Sequence, residues 1–262
     1  MTSALFLVNT ASLPSNLVTG SHLTLSPEIF RHAVKSMRLN DGDELMLSDG
    51  QGLRVTSVLS DAENGVVTIS SIEREPAPKV RLRLIQALAK GGRDEMAIEE
   101  STEIGVDEVV PWQADRSIVQ WNGSKAAKAA RKWDALLTAA SEQSRRAWKP
   151  VLADVVSTKQ LVRLCEQETA RGNLMVVLHQ DATQTWEGIE QRCVHLAVEA
   201  RGAAVPPVIS FVVGPEGGVS DREIGLLTAA GAESVVIGCN ILRASTAGPV
   251  AVTLLSRVLG RF

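Results

Sequence analysis

The chain has 262 residues, 45% of them hydrophobic and 22% charged, with a formal net charge of −3. That length makes one large domain or two modest ones with a real core, and the excess of acid excludes a protein that coats nucleic acid by bulk charge. Cys165, Cys193 and Cys239 have neither paired nor metal-like spacing, so free thiols in a reducing compartment are expected. The scattered histidines give no reason to expect a metal, and residues 1–10 carry no basic start and only a short apolar run, so a cytoplasmic protein with no signal peptide or membrane span is expected.

Residues 1–75 read as a small β-rich unit. Strands are predicted at Phe6–Val8, Glu44–Leu47, Leu53–Leu59 and Val66–Ile72, separated by Asn/Asp/Gly turns. One short helix interrupts them, capped by Ser26 with Pro27 in its first turn and running to about Met37. The two prolines of Glu75-Pro76-Ala77-Pro78 stop strand and helix alike and mark residues 76–79 as a linker. From Val80 onward strands alternate with helices. Strands are expected at Leu82–Ala87, Glu108–Trp112, Met175–Leu178, Ile209–Val213 and Val235–Ile237. Helices are expected near Arg93–Ile104, Ser124–Arg146, Lys159–Gln167, Ser220–Ala230 and Thr246–Arg261. That alternation predicts an α/β domain with a parallel sheet over residues 80–262. In the long helix Ala126, Ala129, Ala130, Trp133, Leu136, Leu137 and Ala140 form the apolar stripe.

Two turns stand out. Gly214-Pro215-Glu216-Gly217-Gly218-Val219-Ser220 and Ile241-Leu242-Arg243-Ala244-Ser245-Thr246-Ala247 each follow a strand and open a helix. Both should lie at the C-terminal edge of the sheet, where open α/β sheets bind ligands. The glycines of the first let backbone N–H groups approach a ligand closely, and Ser220 with Glu223 spells a capping box. Ser245 and Thr246 are expected N-caps of the last helix, with Pro249 in its first turn. The spacing Gly-x-x-Gly-Gly is neither a phosphate-binding P-loop nor a dinucleotide fingerprint. Between Arg116 and Pro150 eight basic residues face two acidic ones. Such a local patch either follows a phosphate backbone or forms the solvated face of a helix.

The ordered set Gly214-Pro215-Glu216-Gly217-Gly218 and Ile241-Leu242-Arg243, with Ala89–Glu95, Thr102–Val106, Asp115-Arg116-Ser117, Ser141–Arg146 and the N-terminal His32–Leu39, resembles the bacterial 16S ribosomal RNA uridine N3-methyltransferases. These belong to the SPOUT superfamily of knotted methyltransferases. The resemblance spans nearly the whole chain. It implies a C-terminal SPOUT α/β domain with a trefoil knot, a PUA-like N-terminal β-barrel that helps bind RNA, S-adenosylmethionine as cofactor, a homodimer, and the small ribosomal subunit as partner. Carried over by position, the cofactor residues are Leu178, His179, Gly214, Pro215, Glu216, Gly217, Gly218, Ile237, Gly238, Ile241, Leu242, Arg243 and Ala247. Arg31, Lys35, Arg38, Arg116, Arg145 and Arg146 are the candidate RNA contacts.

The methyl donor is already activated, so the protein's main tasks are to align the attacking nitrogen and to favour loss of the N3 proton. Arg243 is the candidate for stabilising charge on the uracil oxygens, with a structural arginine that pairs with Glu216 or with the cofactor carboxylate as the alternative. Glu216 is the candidate base. Where the family often has Arg-Thr-Glu-Thr-Ala this chain has Arg243-Ala244-Ser245-Thr246-Ala247, and Ser141 stands where it often has cysteine. The residues alone leave open a non-catalytic RNA-binding or assembly factor, and a methyltransferase of a ribose 2′-hydroxyl. The C-terminal helix, with Val252 and Leu255 among its apolar residues, buries either within the chain or against a partner.

Overall fold

The computed structural model describes residues 3–9, 13–14, 16–199 and 204–262. These form two compact units. The first comprises the chain up to Ala77 together with Ser141–Lys149, and the second comprises Pro78–Ala140 together with Pro150–Phe262.

In the first unit, β1 (Ala4–Leu7), β2 (His22–Thr24), β3 (Glu44–Ser48), β4 (Leu53–Asp61) and β5 (Val66–Arg74) make a five-stranded sheet in the order β1-β3-β4-β5-β2. Only the β1–β3 pairing is parallel. Strict alternation in β4 points Leu53, Val55 and Leu59 into a core with Phe6, Leu45, Leu47 and Ile69. Helix α1 (Pro27–Phe30) begins as expected, with the Ser26 hydroxyl accepting from Ile29 N–H and Pro27 in the first turn. It then widens into a π-helical turn over Arg31–Ser36. The segment Ser141–Lys149 is fastened to this unit by Glu142, whose carboxylate accepts from Leu7 N–H at 2.8 Å, and by Gly52 N–H, which donates to Ala147 at 2.9 Å.

The second unit holds β6 (Arg81–Ala87), β7 (Glu108–Gln113), β8 (Val151–Leu152), β9 (Val156–Ser157), β10 (Leu174–Leu178), β11 (Gln184–Thr185), β12 (Val208–Val213) and β13 (Glu233–Val236). Its order is β11-β13-β10-β12-β6-β7-β8, with β9 also on β7, and every pairing is parallel. The central strands are buried on both faces and mostly apolar, as a sheet covered on both sides demands. One face packs on α2 (Arg93–Ile104), α3 (Ser124–Gln143), α5 (Trp186–Glu199) and α7 (Ala244–Val258) through Leu84, Phe211, Ile98, Trp133, Ile189 and Leu255. The other packs on α4 (Thr158–Ala170) and α6 (Asp221–Ala229) through Ile85, Val212, Leu161 and Leu227. The predicted stripe of α3 faces this core, with Trp133 meeting Trp121 edge-on at 5.0 Å.

Between β12 and β13 the chain crosses β10. That crossing brings the ends of β10, β12 and β13 together at one sheet edge. Val252 and Leu255 of α7 are fully buried inside their own chain, while Val250, Leu254 and Val258 of the same helix and its C-cap Leu259 are only partly buried. No helix of the described residues is long and apolar enough to cross a membrane.

Candidate functional site

The junction after β12 is a tight turn held by bonds already made. Gly218 N–H donates to the Pro215 carbonyl at 2.8 Å. A Cβ on Gly214 would lie 3.0 Å from Val219 N and 2.8 Å from Val219 Cγ2, so only glycine fits. At Gly217 the crowding comes instead from Arg116, whose stem lies 3.2 Å from where a Cβ would be and whose Nη1 donates to the Gly217 carbonyl at 2.9 Å. Gly214 and Gly217 thus serve the packing of the turn, and Gly218 its left-handed backbone, φ +72°. Glu216 accepts from Lys90 N–H at 3.1 Å and pairs with Arg93 at 3.3 Å, which ties the β12 turn to the loop that follows β6.

The capping box of α6 is present, with both Ser220 and Glu223 engaged. Glu223 does more than its sequence position announces. It is fully buried, and its second oxygen accepts from Asp115 N–H and from the Thr158 hydroxyl, each at 2.8 Å. Asp115 in turn accepts from Arg222 at 2.7 Å and from Ser220 Oγ at 3.1 Å. The Arg222 guanidinium holds the Asp115 carboxyl below the usual carboxylate range.

The junction after β13 is built differently. Helix α7 starts at Ala244, two residues before the expected start, and its N-cap is Arg243, whose side chain makes no capping bond. Ser245 and Thr246 therefore lie inside the first turn. Pro249 lies in the helix interior, where it has no N–H to offer the preceding turn. Cys239, Asn240, Ile241 and Arg243 are all exposed, Ile241 with 77% of its surface free. Arg243 makes no ion pair or side-chain hydrogen bond among the described residues, and Glu216 is paired with Arg93 instead.

The two junctions and the loop after β10 enclose one cavity of about 580 Å³. All thirteen positions carried over as cofactor residues border it, from Leu178 and His179 through Gly214–Gly218 to Ile237, Gly238, Ile241, Leu242, Arg243 and Ala247. Both candidate catalytic residues, Arg243 and Glu216, are among them. His179 is fixed through its backbone, its N–H donating to Val235 at 2.9 Å. The sequence reading missed Arg93 on this wall. It follows Gly91-Gly92 just beyond β6, a second glycine turn at the same sheet edge, and that was the available signal.

Of the candidate RNA contacts, Arg116 borders the cavity. Arg31, Lys35, Arg38, Arg145 and Arg146 belong to the other unit. There Lys35 lies 5.3 Å from the centre of the Phe30 ring, and Arg38 and Arg145 hold left-handed backbone conformations. On α3, Lys132 pairs with Glu95, so one lysine of the basic segment is engaged within the fold. Cys165 and Cys193 are buried thiols, and burial pushes Cys193 up to about 12. No cluster of three or more metal-ligating side chains occurs among the described residues.

A parallel sheet whose C-terminal edge carries a glycine turn, an open loop and a cavity between them defines a ligand-binding α/β domain, and its likeness to solved structures is to SPOUT-type methyltransferases with a PUA-like β unit. The model of the RNA methyltransferase domain matches residues 75–256 and that of the RNA methyltransferase PUA domain matches residues 25–70. The chain belongs to this RNA methyltransferase family. Over 264 aligned residues, spanning this whole chain and 94% of the relative, it is 36% identical to ribosomal RNA small subunit methyltransferase E of Mycobacterium bovis. It is 28% identical to the Bacillus subtilis protein of the same name, over 89% of each chain. Among solved structures, the Neisseria gonorrhoeae enzyme of that name, bound to S-adenosyl methionine, matches 98% of both chains with a TM-score of 0.77 and 25% identity. A Legionella pneumophila methyltransferase in complex with the same cofactor matches equally well, at 28% identity.

Proposed function

We propose that this protein transfers a methyl group from S-adenosylmethionine to N3 of a uridine in 16S ribosomal RNA. The observation that carries the reading is the convergence of two strand–turn–helix junctions on one cavity, in a chain of the RNA methyltransferase family. The cavity suits the cofactor. Its volume is that of a small-molecule site. Leu178, Val213, Ile237 and Leu242 offer aliphatic walls for a purine, and Gly238 offers backbone with open space beside it. The bound sulfonium supplies an electrophilic methyl group.

The chain's own residues would do the rest. The glycine turn and the β13 loop hold the donor in one orientation, which lowers the entropic part of the barrier. N3 of uracil is a weakly acidic imide, and its negative charge spreads to O2 and O4 as the proton leaves. Arg243, unpaired and at the cavity wall, is the cation that would stabilise that charge. Glu216 is already bound to Arg93 and Lys90 N–H, which suits a residue that holds the turn better than a base that must collect a proton. Arg116 at the cavity would meet an RNA phosphate. Arg31, Lys35, Arg38, Arg145 and Arg146 on the PUA-like unit would bind other parts of the small-subunit RNA. The protein is read as a cytoplasmic homodimer, a state that sedimentation of the purified chain would check.

The test is to incubate the protein with methyl-labelled S-adenosylmethionine and unmodified small subunits and to analyse the digested 16S RNA by mass spectrometry. Labelled 3-methyluridine is expected. A label on a ribose 2′-oxygen, or no label, would overturn the assignment.

A further inference from the structure

Two helices of this chain begin with the same capping box, and the two boxes are not built alike. On α4, Ser157 pairs with Gln160, a neutral and exposed residue. On α6, Ser220 pairs with Glu223, a carboxylate with no exposed surface. A cap alone needs neither the charge nor the burial, since an exposed glutamine completes it. Burying a carboxylate is costly unless its oxygens are well supplied with donors. Here the oxygen that faces away from Ser220 accepts from Asp115 N–H and Thr158 Oγ1, each at 2.8 Å.

Asp115 and Arg116 are the two central residues of a turn closed by Ser117 N–H to the Ala114 carbonyl at 3.0 Å. The turn is thus pinned from both sides of Asp115. Its backbone is bound to Glu223, and its carboxylate is bound to Arg222 and Ser220. Arg116, the next residue, is left exposed, with Nη1 on the Gly217 carbonyl and no ion pair among the described residues. Its remaining donors are therefore free at the cavity.

We infer that Glu223, with the Asp115–Arg222 pair, is a positioning latch that holds Arg116 across the glycine turn so that its free guanidinium donors receive the RNA phosphate next to the target nucleotide. This deepens the proposed function and rests on it for the identity of the substrate. Glu223 touches neither substrate nor cofactor and acts through Arg116. Replacing Glu223 by glutamine turns one oxygen into a donor that faces donors on either side, and so releases the turn.

The experiment is a double-mutant cycle of Glu223→Gln and Arg116→Ala, read as KM for small subunits, kcat and melting temperature. In the wild-type background each single change should raise the RNA KM by about tenfold, the worth of one charge-assisted contact, with little change in kcat. In the Arg116→Ala background Glu223→Gln should add nothing to KM, while its cost in melting temperature persists. Equal KM effects of Glu223→Gln in both backgrounds would overturn the latch. Arg222→Met, at a largely exposed residue, tests the same prediction if Glu223→Gln fails to fold. A second readout does not depend on methyl transfer. Phenylglyoxal labelling of Arg116, followed by peptide mass spectrometry, should be several-fold faster in either latch variant than in the unaltered protein. Unchanged labelling contradicts the latch even in a protein that methylates nothing, so failure of the latch and failure of the proposed function are told apart.

Discussion

The two junctions that wall the cavity use opposite strategies. After β12 the turn is held by bonds already made. Gly214 has no room for a side chain, Glu216 is bound to Arg93 and Lys90, the Gly217 carbonyl is bound to Arg116, and a buried glutamate closes the cap. After β13 little is committed. Gly238 has open space where a Cβ would be, Ile241 is exposed, and Arg243 starts a helix with no side-chain cap. A turn whose hydrogen bonds are already made contributes shape before any ligand arrives. A loop with free apolar surface, free N–H groups and a free guanidinium is where binding and chemistry have something left to gain.

That contrast can be broken at several points. The largest effect is expected at the open junction. Arg243→Ala should lower the single-turnover rate by roughly 10²–10³ with saturating cofactor, the usual loss for one electrostatic donor, while cofactor affinity changes little. Higher pH should partly restore the rate, because the imide then ionises with less help. Lysine should restore it poorly, since a point charge does not reproduce a planar two-donor contact. An equal fall in affinity and rate would instead give Arg243 a purely structural role.

The next largest effect belongs to the committed junction. Gly214→Ala should destabilise the protein by about 1–3 kcal/mol, an overpacking cost, and weaken cofactor binding with it. Chemical denaturation and calorimetry on the same variant check both. Gly238→Ala meets no atoms and carries only the strain of its left-handed backbone, φ +65°, so about 1 kcal/mol is expected. If Gly238→Ala is the costlier of the two, the contrast between the junctions is wrong.

How legible was this in the sequence? The strand alternation, the Ser220–Glu223 capping box and the glycine turn are local, and local rules found them; the Ser157–Gln160 box was missed. Helix α5 was missed although Trp186, Ile189 and Cys193 recur at helical spacing and all three are buried. Strands of two or three residues, such as β2, β8, β9 and β11, are too short for any period to register. The role of Glu223 was legible only by half. Its bond to Ser220 spans three residues, whereas its partners Asp115 and Thr158 are 108 and 65 residues away, and nothing local encodes such contacts. The start of α7 was misplaced because Ser245 and Thr246 are good caps by type, while the helix begins at Ala244 and turns those hydroxyls into first-turn residues. The segment Ser141–Lys149 shows the same limit. It continues the α3 pattern in sequence, yet its packing partners are Leu7, Gly50 and Gly52 of the first unit.

The smallest expected effect is set by pH. Asp115 titrates below its ordinary value because Arg222 binds the carboxylate. A depressed folded-state pKa adds stability that is fully present above the ordinary value, about 3.9, and that is lost as pH falls through the depressed one. The stability difference between the unaltered protein and Asp115→Asn should therefore hold at neutral pH and shrink on acidification below that range. A difference that stays constant down to strongly acidic pH would show that the Asp115–Arg222 charge pair does not contribute.

The most direct test of the central claim is amide hydrogen exchange with and without S-adenosylmethionine. In the free protein the amides of Gly218, Ser220 and Glu223 should exchange slowly and those of 238–245 quickly, since the first three have acceptors within their junction and the others have none among the described residues. Adding the cofactor should protect 238–245 strongly and change Gly218, Ser220 and Glu223 little. Fast exchange at both junctions in the free protein, or protection that appears away from the cavity, would contradict the account.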